Sequence, residues 1–248
     1  MTTPAPRSPH APQSPHTPPA MRIKSRWFGG EGAAAQKSPA EQGSAMAFIV
    51  WRVAVQMLKR MRAAGFDIDA GAPYFAFVRE VLVFLAVVAD RIAHARMAPE
   101  AREAFVVALV RHVARHLQEN ADDLLGPPPP GEAGHGEQFI DLFNELAGHY
   151  AEFGAAPQAR SGGAAKKEGA AEGAESADAG FEPDFAFVRY LGVRLEPVLG
   201  EHDRRWVLDQ VMAIEAPEAL QIVQRSMREL FDPTPPRRSG RRGAMTGE

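Results

Sequence analysis

Cysteine is absent from all 248 residues. Disulfides, thiolate nucleophiles and cysteine-held zinc or iron–sulfur centres are therefore excluded. Other nucleophiles are scarce. Outside four Pro-, Gly- and Ala-rich stretches the chain has no threonine, one serine (Ser226) and one lysine (Lys59). Covalent catalysis needs a nucleophile with a positioned base and an orienting partner. Neither residue carries that signature, so no catalytic residue is assigned and the chain is not read as an enzyme. Loops of the Gly-x-x-x-x-Gly-Lys type and a strand-borne Gly-x-Gly-x-x-Gly are missing as well, and no cofactor is assigned.

Long apolar runs are also lacking. The longest without a charge is Val81 to Ala89, far below the ~20 residues of a membrane span. The first twenty residues hold no apolar core of a secretory signal. These absences predict a soluble cytoplasmic protein.

Glycine and proline are plentiful, 22 and 21 residues, and they concentrate in residues 1–44, 127–135, 154–180 and 233–248. Such stretches bury too little apolar surface to offset the chain entropy lost on ordering. They are expected to be a disordered N-terminal tail, a short break, a flexible linker and a disordered basic C-terminal tail. About 150 residues remain, enough for one domain with a real core. The expected organisation is a helical domain over 45–232, its first half 45–153 and its second half 181–232 joined by 154–180. Within the tail, Met21 opens Met-Arg-Ile-Lys-Ser-Arg-Trp-Phe-Gly-Gly. It reads either as a second start or as the interior of a Pro-rich extension, and the sequence leaves both open.

The remaining blocks have the periodicity of helices, and no run alternates with period two. Ser44 is expected to cap a helix over 45–63. Further helices are expected over 73–95, 99–117, 137–153, 183–199, 204–214 and 217–231, several opening on a proline suited to the first turn. In the second, Tyr74, Phe77, Val78, Val81, Leu85, Val88 and Ile92 share one face. In the fourth, Phe139, Leu142, Phe143, Leu146, Tyr150 and Phe153 do so. The fold class is all-α, a bundle of about seven helices.

Two of these helices resemble one another. Residues 73–88 match 183–198 without a gap, with identities at Pro73, Phe75, Ala76, Phe77, Val78, Arg79, Val83, Leu85 and Val88. Shared core residues have a ready packing explanation. The shared Arg79 and Arg189, on the polar sides of their helices, do not. The pattern predicts a duplication: two related three-helix halves about a pseudo-twofold axis, with 45–63 as an extra helix.

Metal chemistry has one candidate. His112 and His116 are four residues apart on one helix, a spacing that lets two imidazoles share an ion. Asp90 with His94 and Glu145 with His149 repeat it. Carboxylates and histidines pointing into a bundle build di-metal sites, but these pairs fall on polar faces, with only His116 in an apolar arc. No metal is assigned, and a His112–His116 site is the third-ranked functional reading.

Charge is uneven. Residues 45–232 carry a net −9, while 1–44 and 233–248 each carry +3. Four C-terminal arginines without aromatic neighbours, beside an acidic body, make a poor nucleic-acid footprint. The helix over 45–63 is different. Met46, Val50, Val53, Ala54, Met57, Leu58 and Met61 form one face, widened by Phe48, Trp51 and Val55. Arg52, Gln56, Lys59 and Arg60 form a narrow polar strip. So wide an apolar arc suits the central buried helix of a bundle, a partner's groove or a membrane interface. Ile23, Trp27 and Phe28 form an apolar cluster in a tail that has no core to build. Together with Trp51 they are the expected partner-binding residues. The leading expectation is a non-enzymatic adaptor or scaffold that contacts proteins. Peripheral association with a membrane surface through 45–63, without spanning it, is the alternative.

Overall fold

A helix whose every side is apolar can be stable in water only when other elements cover it completely. The second helix imposes that condition here. The structure is a computed structural model that describes residues 37–154 and 181–232. The described residues are all helix and connection, with no strand among them. In chain order they form α1 (Pro39–Ala63), α2 (Ala72–Arg96), α3 (Pro99–Leu125), α4 (His135–Ala151), α5 (Phe185–Leu195), α6 (Arg204–Gln210) and α7 (Ala216–Phe231). A 3₁₀ turn, Glu196–Val198, follows α5. A π turn, Val211–Glu215, joins α6 to α7 without a break. Counted as continuous rods, the described residues hold six helices, where about seven were expected.

Residues Val81 to Ala89 of α2 are all buried. The cover comes from α1, α3, α4, α5 and α7, each of which packs on α2. The helix covered on every side is therefore the second. On one flank of α2, Phe84 lies 5.5 Å from Phe187 of α5 and 6.1 Å from Tyr150 of α4, ring centre to ring centre. Tyr150 and Phe187 are themselves 4.8 Å apart. This cluster binds α4 and α5 to the same stretch of α2.

Several boundaries differ from expectation for local reasons. The first helix begins at Pro39, not residue 45. Ser38 is its cap: the Ser38 side chain accepts from the Glu41 N–H at 3.3 Å, and the Glu41 carboxylate accepts from the Ser38 N–H at 2.8 Å. This reciprocal pair satisfies two otherwise orphaned donors. Residues 38–44 thus belong to the bundle and not to the tail. Gly43, inside α1, is buried against α3, where a Cβ would collide with the Phe105 carbonyl oxygen. The glycine that looked like a sign of disorder is what lets the two backbones approach. The third helix runs on to Leu125 and stops at Gly126, whose φ of 84° suits glycine. Residues 127–134 cross to α4 in turns, so the expected disordered break is instead a defined connection.

The two similar segments have unlike surroundings. α2 runs for 25 residues through the middle of the bundle, whereas α5 runs for 11 on its flank. Phe77 and Phe187 are both buried, but Phe75 is 1% exposed and its counterpart Phe185 is 71% exposed. Arg79 bonds to Gln138 of α4, while Arg189 is exposed.

Polar links with a buried carboxylate help fasten residues 181–232 to the rest. Glu80, a buried carboxylate on α2, accepts two hydrogen bonds from Arg194 of α5, at 2.6 and 3.0 Å. Arg60 of α1 donates to the fully buried Glu215 of the π turn at 2.8 Å. The Asp67 N–H donates to the buried Asp203 carboxylate at 2.7 Å. Removing one member of a buried ion pair strands the other charge, at a cost of about 3 kcal/mol. Glu80→Ala is expected to lower stability by about that amount in a urea titration followed by circular dichroism. The double variant Glu80→Leu/Arg194→Leu should recover most of the loss. A single variant as stable as the parent would show that the pair is not a clasp.

Candidate functional site

Every residue of the α1 face from Met46 to Met61 named above as its apolar core is buried. The residues that widened that face are not. Phe48 is 53% exposed, and Trp51 and Val55 are half-buried. The broad apolar arc therefore divides into one part that holds the bundle together and one part that meets solvent.

That outer part borders a groove of about 480 Å³ shared with α7. Ile49, Trp51, Val55 and Lys59 of α1 line it, with Ile222 and Ser226 of α7. Lys59 and Ser226 thus line the same groove. Arg52 also lines it and lays its guanidinium over the Phe48 ring, 5.8 Å from the centre. Among the described residues neither Arg52 nor Lys59 is paired with a carboxylate within salt-bridge distance. The groove pairs apolar side chains with the polar Gln56 and Ser226 and the cations Arg52 and Lys59, in a domain whose net charge is negative. Nothing in the sequence tied α7 to this face, because the tie is made only by tertiary packing of α7 beside α1.

Of the four expected partner-binding residues, Trp51 is in the groove. Ile23, Trp27 and Phe28 lie outside the described residues. The Trp51 ring also stands 6.3 Å from that of His116 on α3.

The histidine pairs are drawn to separate neighbours. The Nδ1–H of His112 donates to the Ala108 carbonyl oxygen at 2.8 Å. His116 faces Glu119 at 3.8 Å and the Trp51 ring. His94 receives a hydrogen bond from Arg102 at 3.3 Å, while Arg102 holds Asp90 through two bonds of 2.6 Å. His149 sits 3.0 Å from the Tyr190 hydroxyl, and Glu145 is exposed. No group of three or more His, Asp or Glu positioned to hold an ion occurs among the described residues.

α2 is long and apolar enough to cross a membrane by length and composition, but 67% of its most apolar stretch is buried inside the bundle. Burial among neighbouring helices is the state of a core helix. No protein-family model, curated protein or solved structure matches this chain.

Two histidines carry a pH dependence. Burial lowers the pKa of His116, the larger effect, opposed by Glu119. Burial, reinforced by Arg79, lowers that of His135 at the start of α4. A histidine with a depressed folded pKa binds fewer protons folded than unfolded, so stability falls as pH drops from about 6.5 through the folded values. The melting temperature is expected to decline between about pH 7 and pH 5, and His116→Gln/His135→Gln should flatten that decline. An equally steep decline in the double variant would assign it to other groups.

Proposed function

We propose that this chain is a non-enzymatic helical adaptor, soluble in the cytoplasm, that holds a segment of a partner protein in the groove between α1 and α7. One observation carries the reading: Trp51, Ile49, Val55 and Ile222 line a groove together with Arg52 and Lys59, which meet no carboxylate within salt-bridge distance among the described residues. An amphipathic helix lays its apolar face into such a groove and meets the rim with its flanking charges. The complementary occupant is an amphipathic helix with acidic flanks. Ile23, Trp27 and Phe28 supply a second contact to the same or another partner. The likeness of 73–88 to 183–198 fits this reading as a duplication that yielded two related halves and about seven helices. The nine identities and the shared burial of Phe77 and Phe187 support it.

Aromatic anchors dominate interface energetics, each costing about 2 kcal/mol or more when truncated. Trp51→Ala and Lys59→Glu are therefore each expected to weaken capture of the same partner proteins by about 30-fold, and the exposed Lys59→Glu to do so with unchanged melting temperature. Deletion of residues 1–36, which spares the Ser38 cap, tests the tail separately. A partner set unchanged by both point variants defeats the groove reading. Flotation on anionic liposomes that both variants abolish would transfer the groove to the membrane alternative.

A further inference from the structure

A second concavity lies away from the α1–α7 groove, where α2, α3 and α4 meet. It has a volume of about 350 Å³. Its walls are of two kinds. Val87 of α2 and Ala147 and Ala151 of α4 give an apolar floor. Asp90, Arg91 and His94 of α2 and Arg102 of α3 give a charged rim.

The rim is organised. Asp90 engages Arg102 through both carboxylate oxygens at 2.6 Å, so those two charges cancel and the Arg102 guanidinium is held in place. The hydrogen bond from Arg102 reaches the Nδ1 of His94, at 3.3 Å. Nδ1 therefore accepts, and the neutral ring carries its proton on Nε2, a second donor. Arg91 gives one bond, 3.2 Å, to the Tyr150 carbonyl oxygen. That contact fixes its position and spends only one of five N–H donors. Among the described residues Arg91 meets no carboxylate within salt-bridge distance. The pocket thus offers one positive charge that meets no carboxylate among the described residues, an imidazole N–H on the same rim and an apolar floor kept open by two alanines.

We propose that this pocket binds a small organic monoanion, a carboxylate on a short apolar body. The charge count selects a monoanion. A phosphate dianion would bring a second negative charge against the Asp90 carboxylate with no second free cation to balance it, and like charges in so small a space repel strongly. The floor selects an apolar body, since Val87, Ala147 and Ala151 offer it no polar group. An arginine–carboxylate contact supported by a second donor is among the stronger polar interactions available to a protein. The proposal is independent of the groove on α1 and stands or falls without it.

The test is calorimetric titration of the full chain at low salt and neutral pH with octanoate, with octanol and inorganic phosphate as comparison probes. One saturable octanoate site per chain is expected. Arg91→Gln should weaken it at least about tenfold. Ala147→Leu, which fills the floor and leaves every charge in place, should do the same. Arg52→Gln, on the other face, should change nothing. Circular dichroism confirms that each variant is folded, and should Arg91→Gln fail to fold, Ala147→Leu and Arg91→Lys decide alone. The absence of saturation below about 10 mM overturns the proposal. Equal binding of octanol, or of octanoate to Ala147→Leu, does so as well. Tighter binding of phosphate than octanoate overturns the carboxylate assignment.

Discussion

Complete burial of residues 81–89 is the condition that shapes the rest of the molecule. Nine consecutive residues pointing in all directions around α2 require neighbours on every side, and the chain supplies them from both ends of its sequence. α1, α3 and α4 come from the near side. α5 and α7 arrive from residues beyond 184. The close crossing of α1 and α3 at Gly43 completes the near side. Glu80 is the charged residue buried on the core helix, and Arg194 offsets its loss of water. Each neighbour of α2 also has an outer surface, and the two proposed binding regions lie there, one on the outer side of α1 and one at the rim where α2 emerges between α3 and α4.

Much of this was legible in periodicity. The positions of the long helices follow from apolar residues at three- and four-residue spacing, and that signal is local. The start of α1 was missed: the expectation set Ser44 as the cap, whereas the Ser-Pro-x-Glu at Ser38 makes the capping box. Composition suggested disorder, and the reason for Gly43, a backbone packed against α3, is a tertiary contact. The join of α6 to α7 was hidden for a different reason. Pro217 normally breaks a helix, because it lacks an N–H and its ring strikes the carbonyl four residues back. The wider π turn immediately before it, Val211–Glu215, relieves that conflict and lets the helix continue. Such a turn has no reliable local signature.

The sites were less legible than the helices. Trp51 was found because an aromatic residue at the edge of an already sufficient apolar face stands out. Ile222 and Ser226 were not, since only packing brings α7 beside α1. The spacing of Asp90 and His94 raises metal binding, and their polar face argues against it. Their actual partner, Arg102, sits on the next helix, eight residues past His94. Similarity in sequence likewise did not carry over to surroundings: residues 73–88 and 183–198 begin alike, but α5 ends after 11 residues on the flank of the helix it resembles.

The distance along the chain between α2 and its far-side cover has a consequence for biosynthesis. Phe84 is made 103 residues before Phe187, its aromatic neighbour. At ribosomal elongation rates that gap lasts about 5–20 s. During that interval α1 to α4 have emerged, and one flank of the most apolar helix has no native covering. A nascent chain in that condition presents a sticky flank to chaperones and to neighbouring nascent chains, and it is quenched only when α5 and α7 arrive and the Glu80–Arg194 clasp closes.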